Sequence, residues 1–357
     1  MSWIGLCDFE QPAFRVGGLH NPDRPPNATD SVLAKGTILA EVLLTPSTSD
    51  HVILDYKCSG DWPLRVNIQK ATCGTFWMYI EQGRYNHLHA LPTPLAHFAG
   101  TVQISYSWDG PSRLGHLGVY VPATGLVYQN HLDAPRPMPM GALADMTLTQ
   151  STRRHCDGLA FFAVSNQVEP LGVPLGLTSG TTVLCKKAPR TVGDLRPGMT
   201  VVCHGQPDQQ VQWAGSRLRP ARGAALPIRI RAPYLGLTQD LIVAADQKIA
   251  LDGPDVEYLF SQESVLVRAR DLIHGPMAMI EMRPKVMRYA HVFLTNQSMI
   301  RANGCLTESL HLTTSAQNGL KSQNTMSRLC NVEAHTTQST PSLRGFEAMT
   351  LNRILAA

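Results

Sequence analysis

Charge is scarce in this chain: Asp, Glu, Lys and Arg make up 16% of its 357 residues, well under the usual quarter. That shortage excludes a disordered chain and a charge-laced coiled coil. Basic side chains outnumber acidic ones only by 31 to 27, a net +4, too little for a dedicated nucleic-acid binder, so no nucleic-acid partner is expected. No window of about eighteen uncharged apolar residues occurs, and no membrane-spanning helix is expected. The opening MSWIGLCDFEQPAF lacks a basic start, a full apolar run and a cleavage site. It does not read as a cleavable secretory signal, which leaves the chain cytoplasmic or exported without one. C-x-x-C is absent too. Cys7, Cys58, Cys73, Cys156, Cys185, Cys203, Cys305 and Cys330 lie at long, irregular intervals, unlike a zinc ribbon or a dense disulfide scaffold.

What the chain does have is 43% apolar residues, 28 Gly and 25 Pro, enough for two domains with real cores and many turns. The fold class expected is all-β. In TVQISYSWD, Val102, Ile104, Tyr106 and Trp108 share one face while Gln103, Ser105 and Ser107 share the other, the period of a half-buried strand. Asp109-Gly110 supplies a turn, and Leu117, Val119 and Val121 restart the alternation. Similar alternation runs through Val52–Lys57, Leu64–Gln69 and Phe76–Ile80. Short strands at this spacing predict an antiparallel sandwich over residues 1–158. Pro, Gly and charge interrupt residues 122–158, where its end is placed. A second β domain is expected over 159–313, with short strands at Leu159–Val164, Thr181–Leu184, Met199–Cys203, Pro227–Arg231, Leu241–Ala245, Lys248–Leu251, Val265–Val267 and Ala290–Leu294. Residues 314–357 read as a polar tail that docks back through a short amphipathic helix at Leu343–Leu355.

Ser107-Trp108-Asp109-Gly110 at a hairpin resembles lectin-like and laminin-G-like sandwiches, which implies a glycan or protein partner for the first domain. The second domain resembles the bacterial Hint (hedgehog/intein) domain. Gly180, Thr181, Val192, Asp194, Leu195, Pro197, Gly198 and Val201 occupy matching places in GLTSGTTVLCKKAPRTVGDLRPGMTVV. QWAGSRLRP, PIRIRAPYLG, LIVAADQKIAL, Tyr289–Phe293, Ala302-Asn303-Gly304 and Glu308-Ser309 follow in the family's order. By that resemblance, self-processing members carry a Cys or Ser nucleophile that attacks the carbonyl before it, and a His that protonates the departing amide. The aligned positions here hold Gly176 for the nucleophile, Gln247 for the first His and Gln297 for the second. Neither a hydrogen atom nor a carboxamide does that chemistry near neutral pH. The resemblance therefore implies the fold without self-cleavage: a binding or structural module in an exported or surface-associated assembly.

The alternative is a self-cleaving protein using another nucleophile. Cys185 is the candidate, with Lys186-Lys187 behind it to lower the thiol pKa if exposed. Asn303-Gly304 fits a tight hairpin turn better than a cyclising asparagine. His87, His89, His97 and His116 were weighed as metal ligands, but no carboxylate accompanies them at ligand spacing and no metal or other cofactor is expected. Arg217, Arg219, Arg222, Arg229 and Arg231 form a basic stripe with few aromatics nearby for stacking bases. No paired acidic motif suggests a glycan-active enzyme. Trp77, Tyr79 and Tyr85 are the candidate exposed aromatics for a binding surface on the sandwich.

Overall fold

The computed structural model describes residues 3–20, 31–46, 49–59, 62–172, 176–273, 275–310 and 340–355. They fall into two compact units, Met1–Gly172 and Val173–Ala357. Both are β-rich and antiparallel, as the alternation predicts.

In the first unit a seven-stranded sheet runs in the order Leu126–Asp133, Leu114–Val121, Gly100–Asp109, Lys35–Leu44, Leu159–Ser165, Trp3–Cys7, Ala13–Phe14. A five-stranded sheet runs Arg153–His155, His51–Cys58, Leu64–Lys70, Phe76–Gln82, Tyr85–Leu91. The inward residues of both, among them Ile38, Val102, Ile104 and Trp108 from one and Leu54, Val66, Met78 and Ile80 from the other, form one core, as in a sandwich. A bulge between Val52 and Leu54 breaks the expected alternation there and turns both Ile53 and Leu54 inward.

The expected boundary after residue 158 is corrected. Leu159–Ser165 is a central strand of the first sandwich, paired with both Lys35–Leu44 and Trp3–Cys7. With Phe161, Phe162 and Val164 fully buried, it has no place in a second domain. The boundary lies between Gly172 and Val173. The interval read as interrupted also holds the strand Leu126–Asp133 and a helix, Met140–Leu148. Arg153, itself buried, donates from one guanidinium nitrogen to the carbonyls of Met146, Thr147 and Thr149 at 2.7, 3.0 and 3.3 Å. Those are the acceptors that a helix end leaves unsatisfied.

In the second unit a seven-stranded sheet runs Thr200–Val201, Gln209–Pro220, Val286–Leu294, Leu177–Thr178, Leu241–Ala244, Pro227–Ile230, Ala278–Ile280. A second sheet runs Arg190–Thr191, Thr182–Val183, Met299–Ala302, Cys305–Glu308, Lys248–Asp252, Ser264–Arg268, and Cys203–His204 pairs with Met299–Ala302. The long strand Gln209–Pro220 was legible only as a phrase, because Gly215 and Pro220 obscure its period. Of the tail, residues 314–339 lie outside the described residues. Residues 340–355 dock as expected and belong to this unit. Leu266 N donates to Pro341 O at 2.8 Å and Leu343 N to Leu266 O at 2.9 Å, capping the edge strand Ser264–Arg268. Helix Gly345–Leu355 then places Ala348 and Leu351 in the core.

Candidate functional site

Gly176 and Leu177 open the described part of the second unit. Leu177 is held between two strands, opposite Ala290 on one side and Val243 on the other, and Ala244 N donates to Gly176 O at 2.9 Å. Beside this strand is a cavity of ≈ 180 Å³ whose lining includes Gly176, Gln247, Lys248, His291, Glu308 and Ser309. The fold thus gathers Gly176 and Gln247, which are far apart in sequence, at one polar cavity. Gln297 reaches its wall through Glu308.

Gly176, where the resemblance puts the nucleophile, is tightly enclosed. A Cβ built on Gly176 would lie 2.9 Å from Ala290 O, 3.1 Å from His291 Nδ1 and 3.3 Å from His291 Cε1. The first contact is to backbone, which cannot swing away as a side chain can. His291 is the functional candidate that sequence reasoning missed. The signal was available, a lone histidine inside the apolar strand Val286–Leu294, in a phrase that the resemblance already covered. Burial pushes its imidazole down to about 4, with the positive charges of Arg219 and Arg217 adding to the effect, so the ring is neutral at neutral pH.

Gln247 Nε2 donates to Glu308 O at 2.9 Å and to Lys248 O at 3.1 Å. The carboxamide staples two strands. Gln297 Nε2 donates to Glu308 Oε1, and Lys248 Nζ lies 3.5 Å from Glu308 Oε2. Burial pushes the Glu308 carboxyl above its ordinary range, and Lys248 and the Gln297 bond oppose the shift. Asp246, at the cavity mouth, is paired with Arg270.

Cys185 is not among the residues lining this cavity. It forms a β-bridge to Val201. The expectation that Lys186-Lys187 lowers its thiol pKa is corrected: burial raises it, with Arg190 opposing. Asn303-Gly304 is the hairpin turn expected, with φ of 50° and 102°, joining Met299–Ala302 to Cys305–Glu308. The Asn303 Oδ1 accepts from Thr182 N at 2.8 Å and Gln239 Nε2 at 3.1 Å, while its Nδ2 donates to Asp240 O at 3.0 Å. This carboxamide ties three segments together.

The basic stripe is partly neutralised. Arg229 binds Asp240 at 2.8 Å and Glu281 at 2.5 Å. Glu281 is held down to about 2, chiefly by Arg283, with Arg229 contributing.

On the first unit, Trp77 and Tyr79 lie half-buried on the outer face of the five-stranded sheet, as the alternation predicts, opposite Ala90 and Leu88. Arg65, in a double hydrogen bond with Asp55 at 3.0 and 3.1 Å, shares that face, and its guanidinium lies 6.0 Å from the Tyr79 ring centre. Tyr85 does not join them. It stands opposite Gln82, on the other face by strand parity, with the Arg136 guanidinium 3.3 Å over its ring. His87 and His89 stack at 5.9 Å, and His116 packs on His131 at 4.8 Å. Among the described residues no three His, Cys, Asp or Glu side chains are grouped to hold a metal.

Residues 175–314 match the family model of the Hint domain. A search of curated proteins returned no match. Among solved structures, the chain is similar to the CBM40 of Ruminococcus gnavus IT-sialidase, at 14% identity over 39% of this chain and 79% of that one, with a TM-score of 0.28. It is similar to leech intramolecular trans-sialidase at 12% identity over 39% of this chain, with a TM-score of 0.28, but spans only 22% of that enzyme. The bacterial intein-like domain from Clostridium thermocellum aligns at 11% identity over 39% of this chain and 100% of its own, with a TM-score of 0.29. Likenesses of this size have no bearing on what the chain binds or catalyses.

Proposed function

We propose that the chain is a non-processing Hint-domain protein, a binding or structural module in an exported or surface-associated assembly. The carrying observation is the contact at Gly176: the family's nucleophile position lacks a side chain, and the Ala290 carbonyl and His291 occupy the room one would need. Covalent catalysis without its nucleophile loses most of its rate. Cys185 does not rescue it, being a bridge residue with a raised thiol pKa outside the lining of the cavity. His291 and the amide staples at Gln247 and Gln297 serve the domain as structure.

The sandwich is the recognition unit in this reading. Its surface is the outer face carrying Trp77, Tyr79 and Arg65, where aromatic planes and a fixed guanidinium suit a glycan or a polar protein surface.

Intact mass after incubation with thiol or hydroxylamine tests the first part. An uncleaved chain supports it; fragments ending between residues 175 and 185 overturn it. For the sandwich, a glycan array is read with the native protein and with Trp77→Ala and Tyr79→Ala. Signal lost in the variants supports the assigned face, and an array on which nothing binds removes the glycan.

A further inference from the structure

Three side chains at the cavity form an arrangement that loss of self-cleavage does not explain. Glu308 ends the strand Cys305–Glu308, which lies between Lys248–Asp252 and Met299–Ala302. Ile249 faces Thr307 on one side and Met299 faces Glu308 on the other. Strand parity therefore puts Lys248 and Glu308 on one face, and Gln297, two residues ahead of the strand Met299–Ala302, reaches the same carboxylate. The carboxylate bridges the other two: Oε1 accepts from Gln297 Nε2, and Oε2 lies 3.5 Å from Lys248 Nζ. Glu308 is buried. Gln297 Oε1 is also buried and has no hydrogen-bond partner, an arrangement that calls for a reason in a native structure.

We propose that Lys248 and Gln297 close an intramolecular ε-(γ-glutamyl)lysine cross-link, with Glu308 moving the protons. The Lys248 amine, after giving a proton to the Glu308 carboxylate, attacks Gln297 Cδ. The new Nζ–Cδ bond forms as the Cδ–Nε2 bond breaks; the same carboxyl delivers that proton to the departing nitrogen and takes up the second proton that Nζ sheds, so that Glu308 ends protonated. Ammonia leaves, nothing is oxidised or reduced, and no other reactant is needed. Two inter-strand steps separate the outer strands by roughly 10 Å, a span that a lysine and a glutamine side chain joined end to end can cover. The carboxyl touches both the amine and the amide nitrogen, the geometry required of a proton shuttle. Its burial favours the protonated form that the second half of the step uses. The product ties the strand Lys248–Asp252 to the segment leading into Met299–Ala302, across Cys305–Glu308.

The experiment uses the purified full chain, denatured for intact mass and then digested with trypsin. The expected mass is the sequence mass less one ammonia. The digest is expected to contain one species joining 232–268, uncleaved at Lys248, to 289–301. Lys248→Arg, Gln297→Glu and Glu308→Gln, each expressed as the full chain, are expected to restore 289–301 as a free peptide. A native chain with no mass deficit, whose 289–301 peptide is free, overturns the proposal even if every variant fails to fold. A deficit located at Asn303-Gly304, where a succinimide also costs one ammonia, overturns it equally. Self-cleavage would appear in the same spectrum as fragments, so this result and that of the intact-chain test are read separately.

Discussion

Replacing Gly176 by alanine places one methyl group where the chain has none, and two effects of opposite sign compete. Substituting Gly by Ala at a position without backbone strain stabilises by about 0.4–1 kcal/mol, because the unfolded chain loses freedom. Against this, the added carbon meets Ala290 O at 2.9 Å and the His291 ring at 3.1 and 3.3 Å, closer than packed atoms sit, and overpacking of this kind costs about 1–3 kcal/mol. The contact to a backbone carbonyl in the middle of a sheet decides the sign, so Gly176→Ala is expected to be destabilised by a net of about 1–2 kcal/mol. For a domain of this size that lowers the melting temperature by about 2–4 °C per kcal/mol. Urea unfolding of the full chain, followed at Trp213 in the strand Gln209–Pro220 by fluorescence, measures it. A variant as stable as the native protein would refute the claim that the position is closed. Gly176→Cys would then be the next variant to test for cleavage.

The Asn303 carboxamide makes three hydrogen bonds to Thr182, Gln239 and Asp240, so Asn303→Ala is expected to cost about 2–4 kcal/mol in denaturant unfolding. Asn303→Gly should cost less, since glycine accepts the φ of 50° without strain. His291 titrates near 4 when folded, against 6.5 as the ordinary value, so the unfolded chain binds its proton first. Its contribution is fully present above pH 6.5 and is lost as pH falls toward 4, on the order of 3 kcal/mol. Unfolding midpoints of the native protein should fall across that window while those of His291→Gln fall less, and equal slopes would assign the effect to another group. Glu281, held down to about 2 from 4.5, stabilises above pH 4.5 and loses that effect as pH falls toward 2. Acid titration of Glu281→Gln should show a shallower loss below pH 4.5.

Period-two alternation in Phe76–Ile80 set the sandwich faces correctly, because that strand has one buried and one half-exposed side; in Val102–Trp108 it set the core face, although Ser105 and Ser107 on the other face are buried too. The same rule failed at Leu159–Ser165. A central strand whose every residue but Ala160 is buried carries no alternation to say which sheet it joins, and the Pro and Gly residues before it imitated a linker. Tyr85 was misplaced for a different reason, since aromatic character was read without its parity relative to Tyr79. At the cavity, aligned phrases brought Gly176 and Gln247 together from positions 71 residues apart, which no local pattern does. His291 was not legible because a lone imidazole in the apolar strand Val286–Leu294 reads as core. The Lys248–Glu308–Gln297 bridge depends on the register of three strands, and registry is not written in any one of them.

The docking of residues 340–355 has a consequence for anyone reading a gel. Leu310 N bonds Val292 O at 3.0 Å, and Leu343 is fastened to Leu266 at 2.9 Å, so both ends of the segment 311–339 are anchored in the same domain. A protease that nicks it leaves the last helix bound by its own buried leucine. Such a preparation would elute as one particle on a sizing column yet run as two bands once boiled in detergent. The smaller band would be a trace of handling, and its size, set by a cut within 311–339, distinguishes it from a fragment ending between residues 175 and 185.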